Sequence, residues 1–530
     1  MAKKYDAIIV GGGHNGLVAA AYLAKGGKKV LVLERRHLVG GCAVTDEIFP
    51  GFRYSVLAYV VSMMRPRIVR ELKLEKYGYD IIPQTCSFTP LLNGDHIMLT
   101  EDDEQNYREI SRFSKRDAEA FPKYQELLSD LAEFVHPILS MVPPDPTSRR
   151  PRDLLKFLDL GKRFWKLGKQ SFSFAKLMSM SSLAFAEMFF ESDVIKAQAS
   201  CAGASGTFLG IRSPGTAYVL LHHFMGEVDE DVGVWGLPRG GMGTVSESIA
   251  SSARSFGAEI RTEAPVSKIL VKKGKAVGVV LEDGEEILSK TVASGVDPKL
   301  TFLKMVDPGD VPEEFLEDIR RINMRGCCGK VNLALDGLPD FTCMPGDGPH
   351  LRGSMMFAPS TEYLERAYDE AKYGWFSRRP MMEVVIPSLV DPSAAPPGKH
   401  VLSAAFMYAS YDLKDSNWEE QREALGDAIV DTLCEHAPNI RDRIIHRQVI
   451  TPWDLEQEFG LTEGNIFHGE ITPDQLFMLR PVPGWAQYRM PVKNLYMCGS
   501  GVHPGGGIMG EPGRLAAQEM LKDWRSGALA

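Results

Sequence analysis

At 530 residues the chain is long enough for roughly two or three domains with a full-sized core, and 44% apolar with 24% charged residues excludes large-scale disorder. A net charge of −9 argues against general nucleic-acid binding and leaves room only for a local basic patch. The cysteines, Cys42, Cys86, Cys201, Cys327, Cys328, Cys343, Cys434 and Cys498, show no CxxC and no zinc-type spacing, so a reduced, cytoplasmic chain with no metal site is expected.

The first predicted strand, Tyr5 to Val10, starts too early to leave room for a leader peptide. No apolar run reaches the length of about 18 residues that a membrane-spanning helix needs. The strand passes into Gly11-Gly-Gly13-His14-Asn15-Gly16 and then into a small, apolar helical stretch. A second strand, Lys28 to Leu33, ends at Glu34. This order of strand, glycine turn, helix, strand and acid is that of a dinucleotide site. Gly11 permits the tight turn, Gly13 lets a pyrophosphate reach the backbone, and Gly16 lets helix and strand pack closely. Unpaired N–H groups at the helix start would hold the phosphates, and Glu34 would accept the ribose hydroxyls. An acid there repels a 2′-phosphate and disfavours NADP, while NAD and FAD both remain open.

Arg35 to Cys42 is a polar turn with the pair Gly40-Gly41, which either admits a bulky ligand or merely shapes a loop. Residues 51–64, rich in aromatic and sulfur side chains, line a cavity or pack in the core. Residues from about 100 to 200 read mostly as helix. Within them Arg149, Arg150, Arg152, Lys156, Lys162, Arg163, Lys166, Lys169 and Lys176 outnumber Asp153 and Asp159, with Phe157, Phe164, Trp165, Phe172 and Phe174 interleaved. Such a surface either lies in an anionic membrane interface or is a solvated helix face. After a helix at Val245 to Phe256, short segments from Glu259 to Ala293 read as a small antiparallel or mixed sheet. Gly240 to Gly243 make no second fingerprint, because Ser246 stands where the third glycine is needed. Trp418 to His436 reads as an amphipathic helix, and His468 lies in a compact polar-aromatic motif, as a structural residue or a functional contact.

Near the C-terminus the strand Asn494 to Cys498 runs into Gly499-Ser-Gly501-Val-His503-Pro504-Gly505-Gly-Gly507-Ile508-Met509-Gly510 and a last helix. This second strand, glycine loop and helix suits a flat ring, with helix N-terminal amides to stabilise negative charge on a reduced flavin. The fingerprint at 11–17, the pair at 40–41 and CGSGVHPGGGIMG at 498–510 resemble the FAD-dependent phytoene desaturase-like oxidoreductases. GNIFHGEITPDQLFMLRP at 464–481 is similar to motifs of their pyridine nucleotide-disulfide oxidoreductase domain-containing protein 2 branch.

That resemblance implies an α/β fold: a Rossmann-like FAD-binding domain assembled from residues 1–75, 235–300 and 490–530, an α+β substrate domain from 76–234 and 301–489, and a helical membrane-facing insertion. It implies FAD contacts at Gly11, Gly13, His14, Asn15, Gly16, Glu34, Arg35, Gly40, Gly41, Val266, Gly499, Gly507, Ile508 and Met509. The expected reaction is hydride transfer from an apolar, isoprenoid or carotenoid-like lipid to flavin N5, with oxygen or a quinone reoxidising the cofactor. His503, then His468, are the candidate bases, with Arg480 as an anion stabiliser. A flavin amine oxidase, a non-net-redox isomerase, saturase or ketolase, and a non-catalytic binding protein are the rivals. Peripheral membrane contact through 149–176 is expected, and no nucleic acid.

Overall fold

The computed structural model describes residues 5–228 and 231–529. The first of two large sheets collects strands from distant parts of the chain. Glu259–Arg261, Val30–Leu33, Tyr5–Val10, Glu286–Ser294 and Leu495–Met497 lie side by side, each parallel to its neighbours. Glu286–Ser294 is shared: its first residues pair antiparallel with Lys275–Leu281, which pairs in turn with Val266–Lys272. Glu259–Arg261 therefore does not close the small antiparallel sheet expected after residue 259. Alternation of side chains sets which face is buried and says nothing about which strand is the neighbour.

Ile8, Ile9, Val30, Val32, Val292 and Ala293 are fully buried, as strands covered on both faces require. One cover is the helix His14–Lys25, which packs against Met242–Ser255 and Glu511–Arg525. The approach is close enough that side chains are excluded. A Cβ on Gly513 would lie 2.1 Å from the Asn15 carbonyl oxygen, and one on Gly16 would lie 2.3 Å from that of Gly11.

The second sheet runs Ile444–Ile450, Cys328–Leu335, His400–Met407, Met382–Val385, Ser354–Phe357, Cys86–Pro90 and His96–Thr100. One face, with Val331, Leu333, Val384, Leu402 and Phe406, packs under the helix Trp418–His436. The other face is polar although buried, and its groups find partners in the segment 55–59. Lys330 Nζ donates to the Ser55 carbonyl, Asn332 Nδ2 to the Val56 carbonyl at 3.1 Å, and the Tyr59 hydroxyl to Glu383 Oε2 at 2.7 Å. Burial costs these groups their water, and the partners replace it. This face seats the second sheet against the chain that leaves the first glycine loop. A third, helical cluster is built around Lys115–Leu139 and Thr216–Phe224. No helix among the described residues is long and apolar enough to cross a membrane.

Gly513→Ala forces a methyl group into the Asn15 backbone and should cost about 1–3 kcal/mol. The check is the denaturation midpoint, and an unchanged midpoint would mean that the last helix does not bear on the first as closely as described.

Candidate functional site

Where the strand Tyr5–Val10 ends, the chain must turn sharply to start its helix. Gly11 does so at φ +92°, with Val296 Cγ1 only 3.1 Å from where its Cβ would be. At Gly13 nothing lies within 4 Å of a Cβ position, so this backbone faces open space. The space is a cavity of about 420 Å³, within the range of small-molecule sites. The helix begins at Gly13 without a side-chain cap, which leaves its first amides free for an anion.

Gly11, Gly13, His14, Asn15, Gly16, Glu34, Arg35, Gly40, Gly41 and Val266 all line this cavity. Glu34 is fixed at the strand end by two backbone donors, Gly12 N–H at 2.7 Å and Arg36 N–H at 2.9 Å, one on each carboxylate oxygen. Each oxygen keeps acceptor capacity for a ribose hydroxyl. From the C-terminal loop Gly507 and Ile508 reach the cavity. Ile508 is held at φ +58°, a strained conformation for a β-branched residue that costs about 1–3 kcal/mol.

Gly499 and Met509 are not among the residues lining the cavity. A Cβ on Gly499 would meet the Gly295 carbonyl oxygen at 2.3 Å, so this glycine serves the crossing of two strand ends. Met509 is fully buried in the helical cluster, and its carbonyl accepts the Arg65 N–H at 3.3 Å.

Arg480 has a different task from the one expected of it. Its guanidinium is buried and donates to the carbonyls of Phe467, Gly469, Glu470, Gln475 and Ser500 at 2.6–3.2 Å. All five N–H groups are engaged, and none remains for a substrate anion. Burial pulls its pKa down to about 10, so it stays charged at neutral pH. His503 likewise is not among the residues that line the cavity. Its Nε2 meets the Ile138 carbonyl at 3.0 Å, and the Tyr488 hydroxyl donates to its own carbonyl at 2.8 Å.

His468 is the catalytic candidate that does line the cavity, facing His14. Both residues are half-buried, and the shielded nitrogens His14 Nε2 and His468 Nδ1 have no partner within the protein. Desolvation, and then the neighbouring His468, pushes the His14 pKa down to about 3; desolvation, and then Arg480, holds His468 at about 4. Asn15 Oδ1 is a third orphan beside them, while its Nδ2 donates to Ser500 Oγ at 3.1 Å. That bond joins the first glycine motif to the last. Orphaned, neutral donors and acceptors around an open backbone cradle are what an extended, uncharged heterocycle with a diphosphate would satisfy.

Arg36, Pro265, Ser267, Glu282, Lys304, Phe459, Ile466 and Ser500 also line the cavity and were not picked out from the sequence. Arg36 lies 4.5 Å over the Phe459 ring, a pairing of residues far apart in the chain. Ser500, between Gly499 and Gly501, and Ile466, two residues before His468, are the members of this group that sit inside a sequence motif. Lys330 was hidden in an apolar run, and burial alone holds its amine well below the usual lysine range.

Two sheets, a glycine cradle with a fixed acid and a second glycine loop closing on it define a flavin-dependent oxidoreductase. The chain belongs to the flavin containing amine oxidoreductase family, which matches residues 16–521. Its cofactor is FAD. It is 40% identical to the mouse pyridine nucleotide-disulfide oxidoreductase domain-containing protein 2, over 99% of this chain and 94% of that one. It is 26% identical to one of the limonene dehydrogenase subunits of Castellaniella defragrans, over 98% and 95%. Among solved structures, an oxidoreductase from Methanosarcina mazei shares the fold with a TM-score of 0.62 at 17% identity, covering 98% of this chain and all of that one.

The buried imidazoles make stability sensitive to acid. His14, His222 and His503 are lowered to about 3 and His468 to about 4, first by desolvation in each case, so the unfolded chain takes up protons at pH 6.5 that the folded chain refuses. Stability is therefore full above pH 6.5 and falls as the pH drops from there toward 4, by about 1.4 kcal/mol per pH unit for each such histidine. Denaturation midpoints measured across this range should fall steeply for the native chain and less steeply for His468→Gln. Equal slopes would show that His468 is not held neutral.

Proposed function

We propose that the protein is an FAD-dependent dehydrogenase or desaturase acting on an apolar, isoprenoid-type substrate. The observation that carries this reading is the distribution of charge along the cavity. Its lining carboxylates, Glu34 and Glu282, belong with the first glycine loop and with Val266, at the nucleotide end. The other end offers Ile466, Ile508 and the neutral His468, with Met63 and the neutral His222 packed behind Gly507. An ammonium substrate would find no carboxylate there to pair with, whereas a hydrocarbon leaves its water without opposing cost. The similarity to a limonene dehydrogenase supports the same substrate class.

In this reading segments 1–75, 235–300 and 490–530 form the Rossmann-like FAD half, and the remainder forms the substrate chamber. The amides after Gly13 bind the diphosphate, Glu34 orients the ribose, and Gly507 and Ile508 bring backbone against the flat ring. Bound FAD supplies the two-electron acceptor. The substrate loses a hydride and a proton overall, and His468, which lines the cavity and is held neutral, is the candidate to receive the proton. Oxygen or a quinone is the final acceptor. Ser246, which interrupts a second fingerprint, donates instead to the Ala43 carbonyl at 2.6 Å, as a packing residue.

The family's amine oxidase chemistry is the second reading, and it rests on the family match. Mixing the purified flavoprotein without oxygen against cyclic terpenes, linear isoprenoids and primary or secondary amines separates the two. Bleaching of the flavin by an isoprenoid, with a product lighter by two hydrogens, is expected. Bleaching by amines alone would establish the second reading, and an isoprenoid product of unchanged mass would point to an isomerase. His468→Ala should slow bleaching by about 10²-fold or more at unchanged flavin content.

A further inference from the structure

We propose that the helix pair Pro151–Lys166 and Gln170–Ser179 docks the protein onto the surface of an anionic lipid bilayer. Leu154, Leu158, Gly161 and Trp165 follow one another at steps of four, three and four residues, which places them on a single face of the first helix. That face has no cover. Trp165 is 84% exposed, Leu155 and Leu158 stand beside it in solvent, and Phe172 at 74% continues the patch on the second helix. Solvated helices do not normally present so many large apolar side chains together.

The pair is nevertheless firmly seated on its other side. Phe134 meets Phe164 and Phe174 edge-on at 6.3 and 5.0 Å, Leu177 is fully buried, and Lys156 Nζ donates to the Val142 carbonyl at 2.7 Å. The exposed stripe is thus the outward face of a fixed element.

Charge complementarity selects the occupant. Arg149, Arg150, Lys162, Lys166, Lys169 and Lys176 are exposed around the stripe. Of the two acids in the segment, Asp153 is buried and Asp159 is tied to Arg163 at 2.7 Å. The rim is therefore cationic on a chain whose net charge is −9. An apolar face within a ring of lysines and arginines fits a helix lying in the headgroup region, with Trp165 at the level where amphipathic aromatic rings settle. A two-fold pairing with a second copy would instead bring these cations against their own kind.

Flotation of the full-length flavoprotein with vesicles of phosphatidylcholine alone, or of phosphatidylcholine with phosphatidylglycerol, tests the assignment. Neither contains an isoprenoid, so the result is independent of the substrate. Strong binding to the anionic vesicles is expected. Leu158→Ser with Trp165→Ser and Phe172→Ser should weaken it about ten-fold or more, as should Lys162→Glu with Lys166→Glu and Lys169→Glu. Both variants change only exposed side chains, and retained flavin and an unchanged melting midpoint establish that they fold. Added salt should release the native protein. Absence of binding to anionic vesicles, or undiminished binding by both folded variants, would overturn the proposal. So would a native dimer that the serine variant converts to a monomer, because the stripe would then face a second copy.

Discussion

One buried guanidinium ties together two of the loops that close the cofactor cavity. Arg480 spends its hydrogen-bonding capacity on carbonyls of the 467–475 loop and of Ser500, so the loop that carries His468 and the glycine loop before Gly507 are fixed to one centre. A buried cation with every donor satisfied imposes a geometry that apolar packing alone would not, because any shift of either loop strands a charge away from water. The bond from Asn15 to Ser500 extends the same constraint to the first glycine loop. With the loops fixed in this way, the backbone at Gly13 can face open space without the chain collapsing into it.

The electrostatics of the site follow from burial. The imidazoles around the glycine loops are stripped of water and neutral, and His222 Nε2 rests 3.2 Å from the Gly506 carbonyl behind the loop. The carboxylates that line the cavity are Glu34 and Glu282. Across the second sheet, the polar residues Lys330, Asn332 and Glu383 face inward and are paired with segment 55–59, so the second sheet is held against that segment by hydrogen bonds. The result is a cavity whose lining carboxylates are Glu34 and Glu282 and whose lining imidazoles, His14 and His468, are neutral.

Much of this was legible in the residues. Glycines, β-branched runs and an acid at fixed spacing report local backbone needs, so the nucleotide end could be read from Gly11 to Glu34, and Gly507 and Ile508 could be found at the other terminus. The helix at 418–436 and the strand segments from 266 to 294 follow their periodicity. Less legible were the jobs of single polar side chains. Arg480 and His503 sit in motifs that suggest chemistry, and their surroundings are backbone carbonyls. Neither residue type nor neighbours in sequence disclose what a side chain meets across the fold.

The sequence by itself determined the two glycine motifs, the acid that closes the first, and the amphipathic basic segment, because each depends on conformational freedom or spacing within a few residues. Tertiary structure alone decided that Glu259–Arg261 joins the parallel sheet, that Lys330 is buried in a polar layer, that His468 and His14 share the cavity while His503 does not, and that the apolar stripe of 154–165 is left uncovered. Each of those outcomes is set by which distant segments pack together, and packing partners are chosen by the shape and burial of the whole chain.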